Sequence, residues 1–102
     1  MANNESDVFQ ELSRSEPETA LSAKIHARPE ARGTSIEFEV EGAKGASRCD
    51  LMALTRDGEL MPVTSWLVGA TALNGGVGMR WSEITAFVVK DASGATLLHM
   101  PT

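Results

Sequence analysis

The sequence predicts an all-β domain, an antiparallel immunoglobulin-like or fibronectin-III-like β-sandwich of about seven strands. Three observations lead there. Apolar and polar residues alternate through most of residues 21–100, the period of half-buried strands. Glycines and Asp-Gly or Ser-Gly pairs interrupt the alternation at roughly ten-residue intervals, the spacing of tight turns. No long helical period follows residue 20.

Residues 1–20 read as an acidic flexible linker or stalk, and residues 21–102 as the sandwich domain. The first part carries Glu5, Asp7, Glu11, Glu16 and Glu18 against Arg14. Val8, Phe9 and Leu12 fall on one face of a short helix, which is marginal without packing. This composition predicts little contribution to stability. In the domain, Leu21, Ala23, Ile25 and Ala27 alternate with Ser22, Lys24, His26 and Arg28. Pro29 is expected to end that strand, because it cannot donate to a ladder. Ile36, Phe38 and Val40 alternate with Glu37, Glu39 and Glu41 in the clearest half-buried strand. A turn is expected at 42–45, then a strand through Cys49, Leu51 and Ala53.

Asp57-Gly58 supplies the positive φ angles of a hairpin, and the chain returns through residues 60–68 with Trp66 and an early Pro62. Asn74-Gly75-Gly76 reads as a turn or loop, followed by a short strand at 77–81. Residues 84–90 and 96–100 form a last pair around Ser93-Gly94. The expected core is Ile36, Phe38, Val40, Leu51, Trp66, Ile84 or Phe87, and Leu97. Around Ile84 the parity is ambiguous, because Ala86 and Val88 compete with Phe87 and Val89 for the inner face.

Composition narrows the function. The 102 residues carry a net charge of −5, and most of that charge lies in residues 1–18. The remainder is almost neutral and has no basic patch to neutralise phosphates, which argues against nucleic acid. Few aromatics and no tyrosine argue against a stacking platform. One cysteine excludes an intrachain disulfide and a cysteine-based zinc site. No apolar run is long enough to span a bilayer.

Individual residues suggest no chemistry. His26 and His99 lack a third ligand at metal-binding spacing and read as surface or partly packed side chains. Cys49 reads as a buried, inert thiol. The three glutamates from 37 to 41 read as a solvated strand face. Residues 75–78 are glycine-rich but match no phosphate-binding fingerprint. Trp66 reads as a core anchor. These observations predict neither catalysis, cofactor nor metal. Recognition is expected through loops and strand edges, with Arg80, Trp81, Asn74 and Gly75 as candidate partner contacts and residues 74–78 and 91–94 as the loops involved.

The order Gly33-Thr34, Gly42, Cys49-x-Leu51, Asp57-Gly58, Ser65-Trp66-x-Val68, Ile84-x-x-Phe87-x-Val89, Gly94 and Leu97-Leu98 resembles the C-terminal extracytoplasmic domain of actinobacterial membrane-bound anti-sigma factors of the zinc-finger type. The resemblance covers residues 21–100. It implies a non-catalytic sensor or regulatory domain on the outer side of the cell membrane. Such a domain controls sigma-factor release through recognition of a protein or small-molecule signal, or through a protease. The sigma factor itself would be held by a cytoplasmic zinc-binding domain, and the present sequence has neither that motif nor a transmembrane helix. Residues 1–20 would correspond to the stalk. The alternative reading is an immunoglobulin-like cell-envelope or adhesion module.

Overall fold

The computed structural model describes residues 10–42, 48–67 and 72–102. Eight strands follow in order: β1 (Gln10–Glu16), β2 (Leu21–Glu30), β3 (Gly33–Glu41), β4 (Arg48–Thr55), β5 (Leu60–Leu67), β6 (Ala72–Val77), β7 (Ile84–Asp91) and β8 (Thr96–Pro101). They form two antiparallel four-stranded sheets, one in the order β1-β2-β3-β6 and the other in the order β5-β4-β7-β8. The inner faces meet in one apolar core, as in a β-sandwich.

The alternation in sequence becomes the two faces of each sheet. In β3, Ile36, Phe38 and Val40 are buried while Glu37, Glu39 and Glu41 are exposed. β2 behaves likewise, and β4 contributes Cys49, Leu51 and Ala53. Phe38 meets Trp66 across the core with ring centroids 5.1 Å apart, so aromatic packing ties one sheet to the other.

Four expectations are corrected. First, residues 10–16 are not linker; they form β1, paired with β2 from Gln10↔Ala27 to Glu16↔Leu21. Leu12, opposite Ile25, packs on the core. The free edge of β2 supplies a ladder that local polarity cannot reveal. Thr19 extends the attachment by donating its hydroxyl to the Leu97 carbonyl at 3.0 Å. Truncation to begin at Pro17 is expected to lower the melting temperature by at least ~5 °C, followed by thermal circular dichroism. An unchanged melt would show that β1 adds nothing. Residues 1–9 lie outside the described residues.

Second, Pro29 does not end β2. It sits beyond Ala27, and among the described residues β2 there pairs with β3 only, through Pro29↔Thr34, a place where proline is tolerated. Third, the expected turn at 74–76 lies inside β6, and the expected strand at 77–81 ends at Val77. Gly75 faces β5 so closely that a Cβ there would stand 2.7 Å from the Val63 carbonyl oxygen. The glycines allow the two sheets to approach at this edge.

Fourth, both Ile84 and Phe87 are buried. A register shift places Leu54 opposite Ala86 and Thr55 opposite Ile84. The skipped Thr85 reverses the parity, so residues three apart both point inward. A second shift, between Val89 and Lys90, turns Leu98 and Met100 inward. Leu97 is therefore half-buried at the core margin rather than central. β3 ends at Glu41 and Gly42 has a φ of +89°; the rest of the turn expected at 42–45 lies outside the described residues.

Candidate functional site

The β2–β3 turn, the β4–β5 hairpin and the segment joining β6 to β7 all lie at one end of the sandwich, as the strand pairings require. The site is built there around Trp81 and Arg80. The Gly33-Thr34 pair anchors it. Thr34 is buried, and its hydroxyl donates to the Met79 carbonyl at 2.9 Å. That bond satisfies a buried polar group and pins the chain just before Arg80.

Residues Trp81–Glu83 then form a single 3-10 turn, closed by Glu83 N donating to Arg80 O at 2.9 Å. Arg56, from the β4–β5 hairpin, holds this turn from the other side. Its Nε donates to Ser82 O at 2.9 Å and its backbone N to Glu83 O at 3.2 Å. The side chain of Arg56 is thus committed to structure, whereas Arg80 is exposed.

Trp81 is half-buried. One side packs on Phe87, with ring centroids 5.9 Å apart and planes at 36°. Trp81 also lines a half-open cleft of about 460 Å3 with Pro29, Gly33, Gln10, Glu30, Arg80 and Ser82. Its walls combine an indole, a proline ring and glycine backbone with a guanidinium and a carboxylate at the rim. That combination can take an apolar group and orient a polar one beside it.

The four predicted contacts do not form one surface. Arg80 and Trp81 share the cleft. Gly75 is half-buried and borders an adjoining hollow with Arg32, Gly33 and Gly76. Asn74 is exposed and pairs with Glu37 in the sheet, away from Trp81. The second expected contact loop, residues 91–94, lies at the opposite end of the sandwich. Sequence reasoning missed Pro29, Glu30 and Gln10 as cleft residues. Only the β1–β2 and β2–β3 pairings bring them beside Trp81, and no local motif marks them.

The other candidates fall where their chemistry is modest. Cys49 has no exposure; burial, then the carboxylates of Asp91 and Asp50, push its thiol up, which disfavours the nucleophilic thiolate. His26 pairs through Nδ1 with Glu11 at 3.1 Å across β1 and β2. His99 is exposed. Among the described residues, no group of three or more His, Cys, Asp or Glu side chains is placed to hold a metal ion. Asp91 organises the β7–β8 hairpin: hydrogen bonds from the Ser93 side chain and from the Ala95 backbone N–H hold its carboxyl below the usual range. No described helix is long and apolar enough to cross a membrane. No family model, curated protein or solved structure matches the chain.

Proposed function

We propose that this domain is a non-catalytic recognition module whose contact site is the Trp81–Arg80 cleft. The observation that carries the reading is an exposed arginine beside a tryptophan whose one side is braced by Phe87 while it lines an open cleft. Tryptophan and arginine dominate recognition energetics, and a braced ring loses little freedom on binding. At the level of the parent protein, the proposal is the outer regulatory domain of a membrane-bound anti-sigma factor, supported by the ordered landmarks from Gly33 to Leu98. The fold accords with that proposal if β2–β8 form an immunoglobulin-like or fibronectin-III-like core, three strands facing four, with β1 added at an edge. A signal engaging the cleft would act by binding one state of the domain more tightly than another.

The residues encoded upstream test the parent assignment: a zinc-binding segment followed by one transmembrane helix is expected, and their absence would remove it. The cleft is tested in the full-length protein with Arg80→Ala and Trp81→Ala. Arg80→Ala should leave stability within about 0.5 kcal/mol, as for an exposed side chain. Trp81→Ala should cost roughly 1–2 kcal/mol from lost contact with Phe87. Both should blunt the response of sigma-dependent transcription to its inducing signal. Normal signalling in both variants would overturn the site.

A further inference from the structure

β1 is loosely built into the domain. Of its 7 residues, only Leu12 packs on the apolar core. Its main hold is the ladder to β2, from Gln10↔Ala27 to Glu16↔Leu21. The turn at 17–20 that joins the two strands is weakly tied. Among the described residues, the backbone of 17–20 makes no hydrogen bond to other backbone, whereas the β4–β5 and β7–β8 turns are closed by Gly58 N on Thr55 O and Gly94 N on Asp91 O. The turn is also strained. Ala20 has a φ of +58° and is the one non-glycine residue with a positive φ among those described, a conformation its Cβ opposes. At the other end of the turn, Pro17 fixes its own φ and steers Glu16 toward extended backbone.

We propose that β1 exchanges between two copies of this chain: the turn at 17–20 opens, and β1 of each copy pairs with β2 of the other. A short hinge under strain invites such a swap. Two observations select a second copy as the occupant of the β2 edge. The first is fit. The seat of Leu12 opposite Ile25 and the 3.1 Å contact of His26 Nδ1 with Glu11 are reproduced unchanged by an identical strand. The second is the turn itself. It holds an even number of residues between Glu16 and Leu21. When it straightens, Pro17 comes opposite Ala20 of the partner subunit and Glu18 opposite Thr19, so the antiparallel ladder runs on through a two-fold axis between Glu18 and Thr19. Ala20 then takes an extended φ and its strain is gone. Opening gives up the bond from the Thr19 hydroxyl to Leu97 O, and the new pairs around the axis offset that loss.

The exchange reaches the cleft. Gln10, at the start of β1, lines it together with Trp81, so in the exchanged dimer each cleft takes its Gln10 from the other copy. The swap does not rest on what the cleft recognises, so either proposal can fail without the other.

Refolding the full chain from denaturant at millimolar concentration, followed by sedimentation velocity, tests it. A species of twice 10.9 kDa is expected. Ser13→Cys combined with Lys24→Cys shows how that species is joined. The two positions are exposed and face each other across the ladder, while Cys49 has no exposure. Oxidised as the dimer, the variant should run as a covalent dimer in non-reducing denaturing electrophoresis. Oxidised as the monomer, it should close within one chain. Ala20→Gly relieves the closed turn and should raise the dissociation constant of the dimer by roughly tenfold or more. Deleting Glu18 and Thr19 leaves Pro17-Ala20 as the link. A two-residue hairpin turn needs a positive φ at its first position, which proline cannot supply, so this variant should be dimeric throughout a dilution series. A full chain that stays monomeric overturns the proposal. So does a dimer whose oxidised cysteine pair runs as monomer, a dimer unmoved by Ala20→Gly, or a deletion variant that folds as a monomer. If the deletion prevents folding, the cysteine pair decides the matter.

Discussion

Phe87→Ala should destabilise the domain by about 3–5 kcal/mol. Phe87 has no solvent exposure, sits on a central strand between β4 and β8, and pairs with Ala53 and Met100. Neither neighbour can swing into the space without leaving its own buried position, so the cavity would collapse only in part. A domain of this length has a total stability of roughly 5–15 kcal/mol, so the loss is a large fraction of the whole. The substitution also removes the ring on which Trp81 rests. It should therefore abolish the recognition proposed for the cleft even in molecules that remain folded, because an unbraced indole pays its ordering entropy on binding. Denaturant unfolding measures the first effect and tryptophan fluorescence anisotropy the second. A loss below about 1 kcal/mol would mean that the packing around Phe87 is looser than its burial implies.

The legible part of this fold was the part written locally. The Ile36–Phe38–Val40 alternation against three glutamates became β3 with the expected faces, and Asp57-Gly58 and Ser93-Gly94 became hairpin turns. Trp66 is in the core as expected. What failed depended on partners distant in sequence. β1 is polar and acidic, and only the open edge of β2 makes it a strand. Gly75 and Gly76 carry a turn signal, yet here the small size of Gly75 serves close approach of β6 to β5. The parity of β7 could not be read because a bulge at Thr85 puts residues of both parities inside. The proposed site divides the same way. Arg80 and Trp81 are candidates by residue type, while Pro29 and Glu30 reach the cleft only through topology. Ala86 and Val88 competed for the inner face in sequence; their placement on the outer face appears only once the register is known.

Gly33→Ala should cost roughly 3 kcal/mol or more and lower the melting temperature by more than ~10 °C. Two separate effects combine at this position. Its φ of +150° lies where side chains other than glycine are strained. A Cβ there would also overlap the Val77 carbonyl oxygen and lie 3.0 Å from Gly78 Cα. The obstruction is backbone, and it cannot easily retreat: Val77 pairs with Thr34, and the Thr34 hydroxyl holds Met79. Relief would require lifting the β6–β7 segment, which carries Arg80 and Trp81 and forms one wall of the cleft. Gly58→Ala provides the control. Gly58 has a φ of +87°, but nothing lies within 4 Å of where its Cβ would stand. It should therefore show the conformational cost alone, about 1–2 kcal/mol. Comparing the two variants by denaturant unfolding separates steric overlap from backbone strain. Equal losses would show that the β6–β7 segment yields freely, and that the Gly33-Thr34 anchor does not hold the cleft in place.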